Sequence, residues 1–413
     1  MTTALVLGNT FRIQNEASLY ESRSGMVEQL KVAVVGGGIG GLAAANVMVQ
    51  HGHDVHVFEQ ASRLGEVGAG VLITPNSVRL LARMGLQEQF ERLGGRIQEG
   101  SSYRRMDGSV VGPIKIGDTS GEYGVFGMHR ADLLGMLADQ LPASAVHAGH
   151  RCVGFEQTAD AARLNFENGE RFEADVVVAA DGIHSRLRQE VVDPTPPVFS
   201  GMLAYRGLVP ADRLPGWRND VHLVWMGEGK HFMVFPVRGG ELLNFVGFIP
   251  SEHPAEESWS GRGDVNVLAQ SFAGWDPLVT QLIDQVEDPF WWGLFDREPL
   301  DRWTSGRLAL LGDAAHAMLP HLGQGANQAI EDGVALSVLL TQADTASVSE
   351  TLVRYESVRR PRAVKVQLGA RNNGRRYDSQ YEDLAQRDAE IADAATFRSW
   401  LYDYDVEKEL ATT

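Results

Sequence analysis

Hydrophobic positions along this chain follow two different periods. Lys31–Val35 (KVAVV) is an apolar, β-rich run, Gly41–Gln50 is a stretch of small residues suited to a tightly packed helix, and Asp54–Phe58 (DVHVF) alternates like a strand. Together they predict a βαβ unit. Asp175–Ala180 (DVVVAA) and Arg307–Leu311 (RLALL) are continuous apolar runs, the pattern of strands covered by helices on both faces of a parallel sheet. Between them, within Gly201–Phe248, the runs MLAYRGLV, VHLVWM, HFMVFPV and LLNFVGF are separated by turn residues and predict an antiparallel sheet. Helical spacing extends from Asn327 to Leu340. A second helix is expected from near Ser347, which has capping-box spacing with Glu350, and Pro361 is expected to kink or restart it. Arg359, Arg360 and Arg362 read as a solvated or salt-bridged face, and the acidic end from Tyr377 onward as docked helix and loop without chemistry.

Composition narrows the function classes. The length of 413 residues favours two domains with room for a buried cofactor, and the formal charge of -17 gives nucleic acids and anionic membranes no broad attraction. The single Cys152 excludes an internal disulfide, and no Cys/His cluster has zinc spacing, which fits a reducing cytoplasm. No apolar stretch has the roughly 20 residues of a membrane helix. Residues 1–29 lack the features of a secretory signal and read as a loose leader, with Met26 an alternative start.

Three motifs carry candidate chemistry. Gly36-Gly37-Gly38-Ile39-Gly40-Gly41 is a G-x-G-x-x-G loop between a strand and a helix, so its glycines permit a tight turn, close backbone approach to a pyrophosphate, and close strand–helix packing. Glu59 ends the next strand, where a carboxylate can bind ribose hydroxyls. The second motif, Ala180-Asp181-Gly182-Ile183-His184-Ser185-Arg186-Leu187-Arg188, follows the DVVVAA strand. The third, Gly312–Gly333 (GDAAHAMLPHLGQGANQAIEDG), follows RLALL; Asp313 ends a strand, and Gly323-Gln324-Gly325 opens a helix whose free amides suit an electron-rich ring edge.

Together these motifs resemble the single-component FAD-dependent aromatic hydroxylases of the salicylate hydroxylase and 3-hydroxybenzoate 6-hydroxylase type, over about Lys31 to Arg375. The resemblance implies an α/β fold: a discontinuous Rossmann-type FAD-binding domain with a parallel sheet (30–190 and 296–375), and a smaller substrate domain (191–295) with a mixed or antiparallel sheet. A C-terminal helical tail (376–413) completes it. It also implies tightly held, non-covalent FAD, NADH or NADPH as a visiting electron donor, O2 as co-substrate, and a small aromatic acid as substrate of a monomer or homodimer. Gly36, Gly38, Ile39, Gly40 and Gly41 would cradle the ADP half, Glu59 the adenosine ribose, and Asp313 the ribityl chain. Arg130 matches an arginine near the FAD linker, Val153 a backbone contact to adenine, and Gly70, in Gly65–Pro75, a close approach to the flavin. Asp181, Gly325 and Ala326 complete the expected cofactor set.

The oxidant in this family is an electrophilic flavin hydroperoxide, so the aromatic ring must be electron-rich. A phenol with a pKa near ~10 then needs a base or a positive field at neutral pH. The resemblance assigns the base to His231, on a strand facing the substrate, with Phe235 four residues on and therefore on the same face. Phe235, where 3-hydroxybenzoate 6-hydroxylases resemble a tyrosine, and Pro320, in place of a glutamine, favour salicylate-like decarboxylative hydroxylation. 3-Hydroxybenzoate 6-hydroxylation and hydroxynicotinate-type chemistry are the alternatives. Tyr205 and Arg206 match another family stretch, in which Arg206 would attract a carboxylate. His316 and His321 are expected to support the flavin loop, and Trp225, Trp291 and Trp292 to pack. Trp291-Trp292-Gly293 does not supply the W-x-W-x-x-I motif of a tryptophan-type halogenase. No output module favours a non-catalytic flavin-binding protein.

Overall fold

The βαβ unit forms at the heart of a six-stranded sheet. In this computed structural model, residues 28–65, 69–193, 195–227, 229–252, 261–379 and 381–412 are described; nearly all of the expected leader lies outside them. Lys31–Val35 runs parallel between Asp54–Glu59 and Val176–Ala179, and Leu308–Leu310 extends the parallel order beyond Val176–Ala179. Val146–Ala148 and the short antiparallel Thr304–Ser305 form the two edges. Helix Ile39–Gln50 is buried along almost its whole length, because small residues let Gly325–Leu340 lie against it: a Cβ on Gly333 would stand 2.8 Å from the Ala44 backbone nitrogen. The uniform burial explains why this helix has no polar stripe.

The second sheet has eight strands in the order Gly261–Arg262, Phe290–Asp296, Val198–Pro210, Leu242–Pro250, Lys230–Val237, Leu223–Gly227, Ser102–Arg105 and Val110–Pro113. It is mixed, since Leu223–Gly227 pairs parallel with Ser102–Arg105, a strand from the first part of the chain. The period-2 pattern divides its faces. Leu203, Tyr205, Phe232 and Phe245 pack on Leu268, Phe272, Val279 and Leu282, contributed by and beside helices Val265–Ser271 and Pro277–Ile283. Ala204, Met233, Phe235 and Phe248 belong to the opposite face, which turns toward the first sheet. A small sheet of Gly70–Ile73, Phe126–His129 and Gly95–Arg96 fills the junction. Glycine is required there: a Cβ on Gly127 would meet the Pro236 carbonyl oxygen at 2.0 Å.

Two expectations are corrected in the C-terminal part. Val348–Tyr377 is one helix of 30 residues that passes Pro361 without interruption. Proline costs the helix one hydrogen bond and a ring clash, but Tyr355, Arg359, Arg362, Ala363 and Val366 are buried on both sides of it and hold the chain in register. Nor does Ser347 cap this helix, because its hydroxyl bonds to Asp344 instead. Arg359 and Arg362 are interior groups, bound to Glu331 and Asp332 rather than to solvent, whereas Arg360 pairs with Glu356 near the surface. Helices Leu384–Tyr402 and Val406–Thr412 then close the chain against the body. Among the described residues, no helix is long and apolar enough to cross a membrane.

Candidate active site

The glycine loop is shaped by contacts that only glycine tolerates. Gly36 has φ of 112° and a Cβ there would lie 2.2 Å from the Ala180 carbonyl oxygen, while one on Gly41 would lie 2.1 Å from that of Gly36. Gly38 is the opposite case: a Cβ there meets nothing within 4 Å, so bare backbone faces open space at the start of helix Ile39–Gln50. Glu59 is fastened beside the loop, its Oε2 accepting from the Gly37 amide at 2.8 Å and its Oε1 from the Ala61 amide at 2.8 Å.

The second and third motifs are tied together by Arg188. Its guanidinium donates to the carbonyl oxygens of Ile183, Ala314 and Asp313 at 2.9, 2.8 and 3.0 Å. Asp181 accepts from the Arg186 and Leu187 amides and so holds the turn, while burial pushes its carboxyl above the usual range against those hydrogen bonds. Beneath the third motif, Asp332 Oδ2 accepts from the Gly312 amide at 3.1 Å and lies 2.6 Å from His316 Nε2. Arg359 bridges Asp332 to Glu331, and Arg362 donates twice to Glu331, all inside the protein. Gly312 has φ of 62°, which turns the chain so that Asp313 starts the next helical turn, and its carboxylate stands near Gly325.

The motifs meet the second sheet along one cleft, with about 290 Å3 of interior open to water. Its lining includes Gly38, Ile39, Gly40 and Gly41 from the first motif, Gly70 and Arg130 from the junction, and Asp313, Gly325 and Ala326 from the third. Arg206, Phe235 and Pro320 line it as well, with Met233, Asn244, Phe248 and Trp292. Trp292, expected only to pack, lies under the Arg206 guanidinium at 4.6 Å. Burial lowers the pKa of Arg130, partly offset by Asp313, and burial together with Arg130 brings Arg206 down to about 10. Arg206 therefore stays cationic at neutral pH and gives the cleft a positive field.

Six expected residues stand outside the lining. Gly36, Glu59 and Asp181 act on the loops themselves as described, and Val153 lies on the neighbouring strand Cys152–Gln157. Tyr205 lies on the far face of its strand, stacked with Trp291 at 6.4 Å. His231 is fully buried behind the wall, stacked on Phe248 at 4.0 Å, with Nδ1 2.6 Å from Asp378 Oδ1. His321 is its neighbour, 5.1 Å between rings, held well below the usual histidine range by burial and then by His231. His321 lines a separate cavity of about 20 Å3, room for one water, which shares Leu72, Met233, Pro320 and Gly323 with the cleft. Asn244 and Asp378 had no motif to reveal them, because each acts through the tertiary neighbour that it reaches.

The sequence profile of the FAD binding domain family matches residues 29–369. The chain belongs to this family. It is similar to a 3-amino-4-hydroxybenzoate 2-monooxygenase of Streptomyces cremeus, 38% identical over 383 residues that cover 90% of this chain and 95% of the relative. A salicylate hydroxylase of Pseudomonas putida is 35% identical over 412 residues, covering 92% and 94%. A solved salicylate hydroxylase substrate complex matches with a TM-score of 0.81 at 32% identity, over 92% of this chain and 97% of that one. This member of the FAD binding domain family is an FAD-dependent hydroxylase, and members of its kind use NAD(P)H and O2. Its residues fit the cofactor: open backbone at Gly38, helix-start amides beside it, and a basic cleft floor are a cradle for a dinucleotide phosphate and an electron-rich ring.

Proposed function

We propose that this hydroxylase acts on a small phenolic acid, with salicylate-type decarboxylative hydroxylation to a catechol as the leading reaction. The observation that carries this reading is the shared cleft, where Arg206 and Arg130 provide positive charge and Phe235, Phe248 and Trp292 provide aromatic walls beside the cofactor loops. A flat anionic ring suits that combination. Bound FAD, reduced by NADH or NADPH, supplies the activated oxygen. Gly36 to Gly41, Glu59, Asp181, Asp313, Gly325 and Ala326, with Gly70, Arg130 and Val153, hold it in this reading.

The chain's own task is to orient the ring and take the phenolic proton. Arg206 draws the carboxylate, and Phe235 and Pro320 limit the space beside it. The proton leaves the cleft past Pro320, through the one-water cavity at His321, to His231. Asp378 orients His231 through Nδ1, which leaves Nε2 as the atom to take the proton, so His231 is the terminal base in this reading. Tyr205 supports Arg206 from the opposite face of the strand.

A panel of aromatic acids given to the purified holoenzyme, with NAD(P)H oxidation, O2 uptake and product mass followed together, tests the reading. Catechol and carbon dioxide from salicylate support it; gentisate from 3-hydroxybenzoate would move the assignment to the 6-hydroxylase type.

A further inference from the structure

Asn244 lies directly opposite Phe235 in the strand ladder and lines the cleft while being only 1% exposed. Its Oδ1 accepts from the Gly70 backbone amide at 2.7 Å. Since an amide N–H only donates, this contact fixes which end of the Asn244 side chain faces Gly70. The other end, Nδ2, is buried and has no hydrogen-bond partner among the described residues. Leaving a buried donor unmet costs stability, and an apolar side chain of similar shape would avoid that cost. The geometry is therefore that of a donor held ready for an acceptor.

Arg206 indicates what kind of acceptor. On the adjacent strand Arg206 pairs with Val246 and Leu208 with Asn244, so Arg206 and Asn244 are diagonal neighbours on the same sheet face. Both reach the cleft. One is a cationic fork and the other a neutral donor, and a carboxylate has two oxygens with lone pairs enough for both.

We infer that Asn244 Nδ2 and the Arg206 guanidinium jointly bind the substrate carboxylate, which makes Asn244 a specificity-determining residue for aromatic acids over their carboxamides. The inference rests on the aromatic-acid reading and deepens it by naming the group that distinguishes acid from amide. A carboxamide can turn its oxygen toward only one of the two donors, leaving its own NH2 facing the other. Asn244 thus discriminates by repulsion between donors as well as by attraction.

The test compares Asn244→Asp with wild type as holoenzymes. Aspartate still accepts from the Gly70 amide but presents an acceptor to the ligand. Each protein is titrated with 2-, 3- and 4-hydroxybenzoate and with the matching hydroxybenzamides, reading the flavin absorbance change. The acid-to-amide affinity ratio of the best-bound pair is expected to fall about 30-fold or more in Asn244→Asp, with FAD content per chain unchanged. A ratio is insensitive to a general loosening of the fold. If Asn244→Asp does not retain flavin, Asn244→Ser, whose short side chain cannot reach the ligand, is read in the same way, with a fall of about 10-fold expected. A ratio within about threefold of wild type overturns the inference while leaving the hydroxylase reading in place. A wild-type holoenzyme that binds none of the acids refutes both.

Discussion

Replacing Glu331 by glutamine probes the charged network beneath the loop at Gly312 without changing its shape. Glu331 accepts from Arg359 Nη1 at 2.6 Å, from Arg362 Nε and Nη2 at 2.8 and 2.9 Å, and from Asn76 Nδ2 at 2.6 Å. Glu331, Asp332 and Arg359 are 0% exposed and Arg362 only 6%. Burial alone would raise the Glu331 pKa, but the Arg362 and Arg359 guanidiniums outweigh it and hold the carboxyl below the usual range. In Glu331→Gln Arg359 keeps Asp332, but Arg362 is left without a carboxylate partner among the described residues, and an uncompensated buried charge costs about 3–5 kcal/mol. For 413 residues, roughly 2.1 cal/mol/K each gives an unfolding entropy of about 0.9 kcal/mol/K, hence a Tm loss of about 3–6 °C. Scanning calorimetry at pH 7 with saturating FAD measures it, and Glu331→Gln/Arg362→Met, which restores the balance of charge, should recover at least half. The sign with pH follows from the depressed carboxyl: its stabilisation is complete above the unfolded pKa of about 4.3 and is lost only as pH falls through the lower folded value. A Glu331→Gln protein that melts within about 1 °C of wild type would refute the reasoning.

Other substitutions separate binding from chemistry. Arg206→Met, which keeps a stem over Trp292, should weaken binding of the acid about 100-fold while a neutral phenol changes by less than about threefold, as read by flavin absorbance titration. In wild type, benzoate affinity should hold from pH 7 to 9 and decline as pH passes about 10, where Arg206 loses its proton. Asp313→Ala should weaken FAD retention at least about tenfold, visible as lost absorbance after gel filtration. His231→Ala should keep FAD but lose most coupled product per NAD(P)H consumed, and Asp378→Asn, which weakens the contact that orients His231, should show a milder loss. Wild-type yield in His231→Ala would make that residue structural.

Much of the cofactor half was legible because its requirements are local. A glycine that must turn at φ of 112°, or pack its Cα against a carbonyl, leaves its mark at one position and is read beside the strand that precedes it. The strand runs were legible for the same reason, since period and burial coincide. Pro361 does not restart the helix, which has buried residues on both sides of it, a tertiary effect that no local rule contains. The arginines beside it read as either solvated or salt-bridged, and the sequence left the choice open because the partners of Arg359 and Arg362, Glu331 and Asp332, lie some 30 residues away in the chain. Asn244 and Asp378 were invisible in the sequence: one acquires its meaning from Gly70, the other from His231. Tyr205 and Arg206, adjacent in sequence, separate to opposite faces of one strand, so a shared motif assigned them a shared place that the pleat divides.

The central claim, hydroxylation of a phenolic acid in the cleft between the two sheets, is tested most directly by product stoichiometry. Purified holoenzyme given salicylate, NADH or NADPH and O2 is predicted to consume reductant and oxygen one to one and to release catechol and carbon dioxide in matching amounts. If neither salicylate nor any hydroxybenzoate or hydroxynicotinate accelerates NAD(P)H oxidation or yields an oxygenated product, the account of this cleft is wrong.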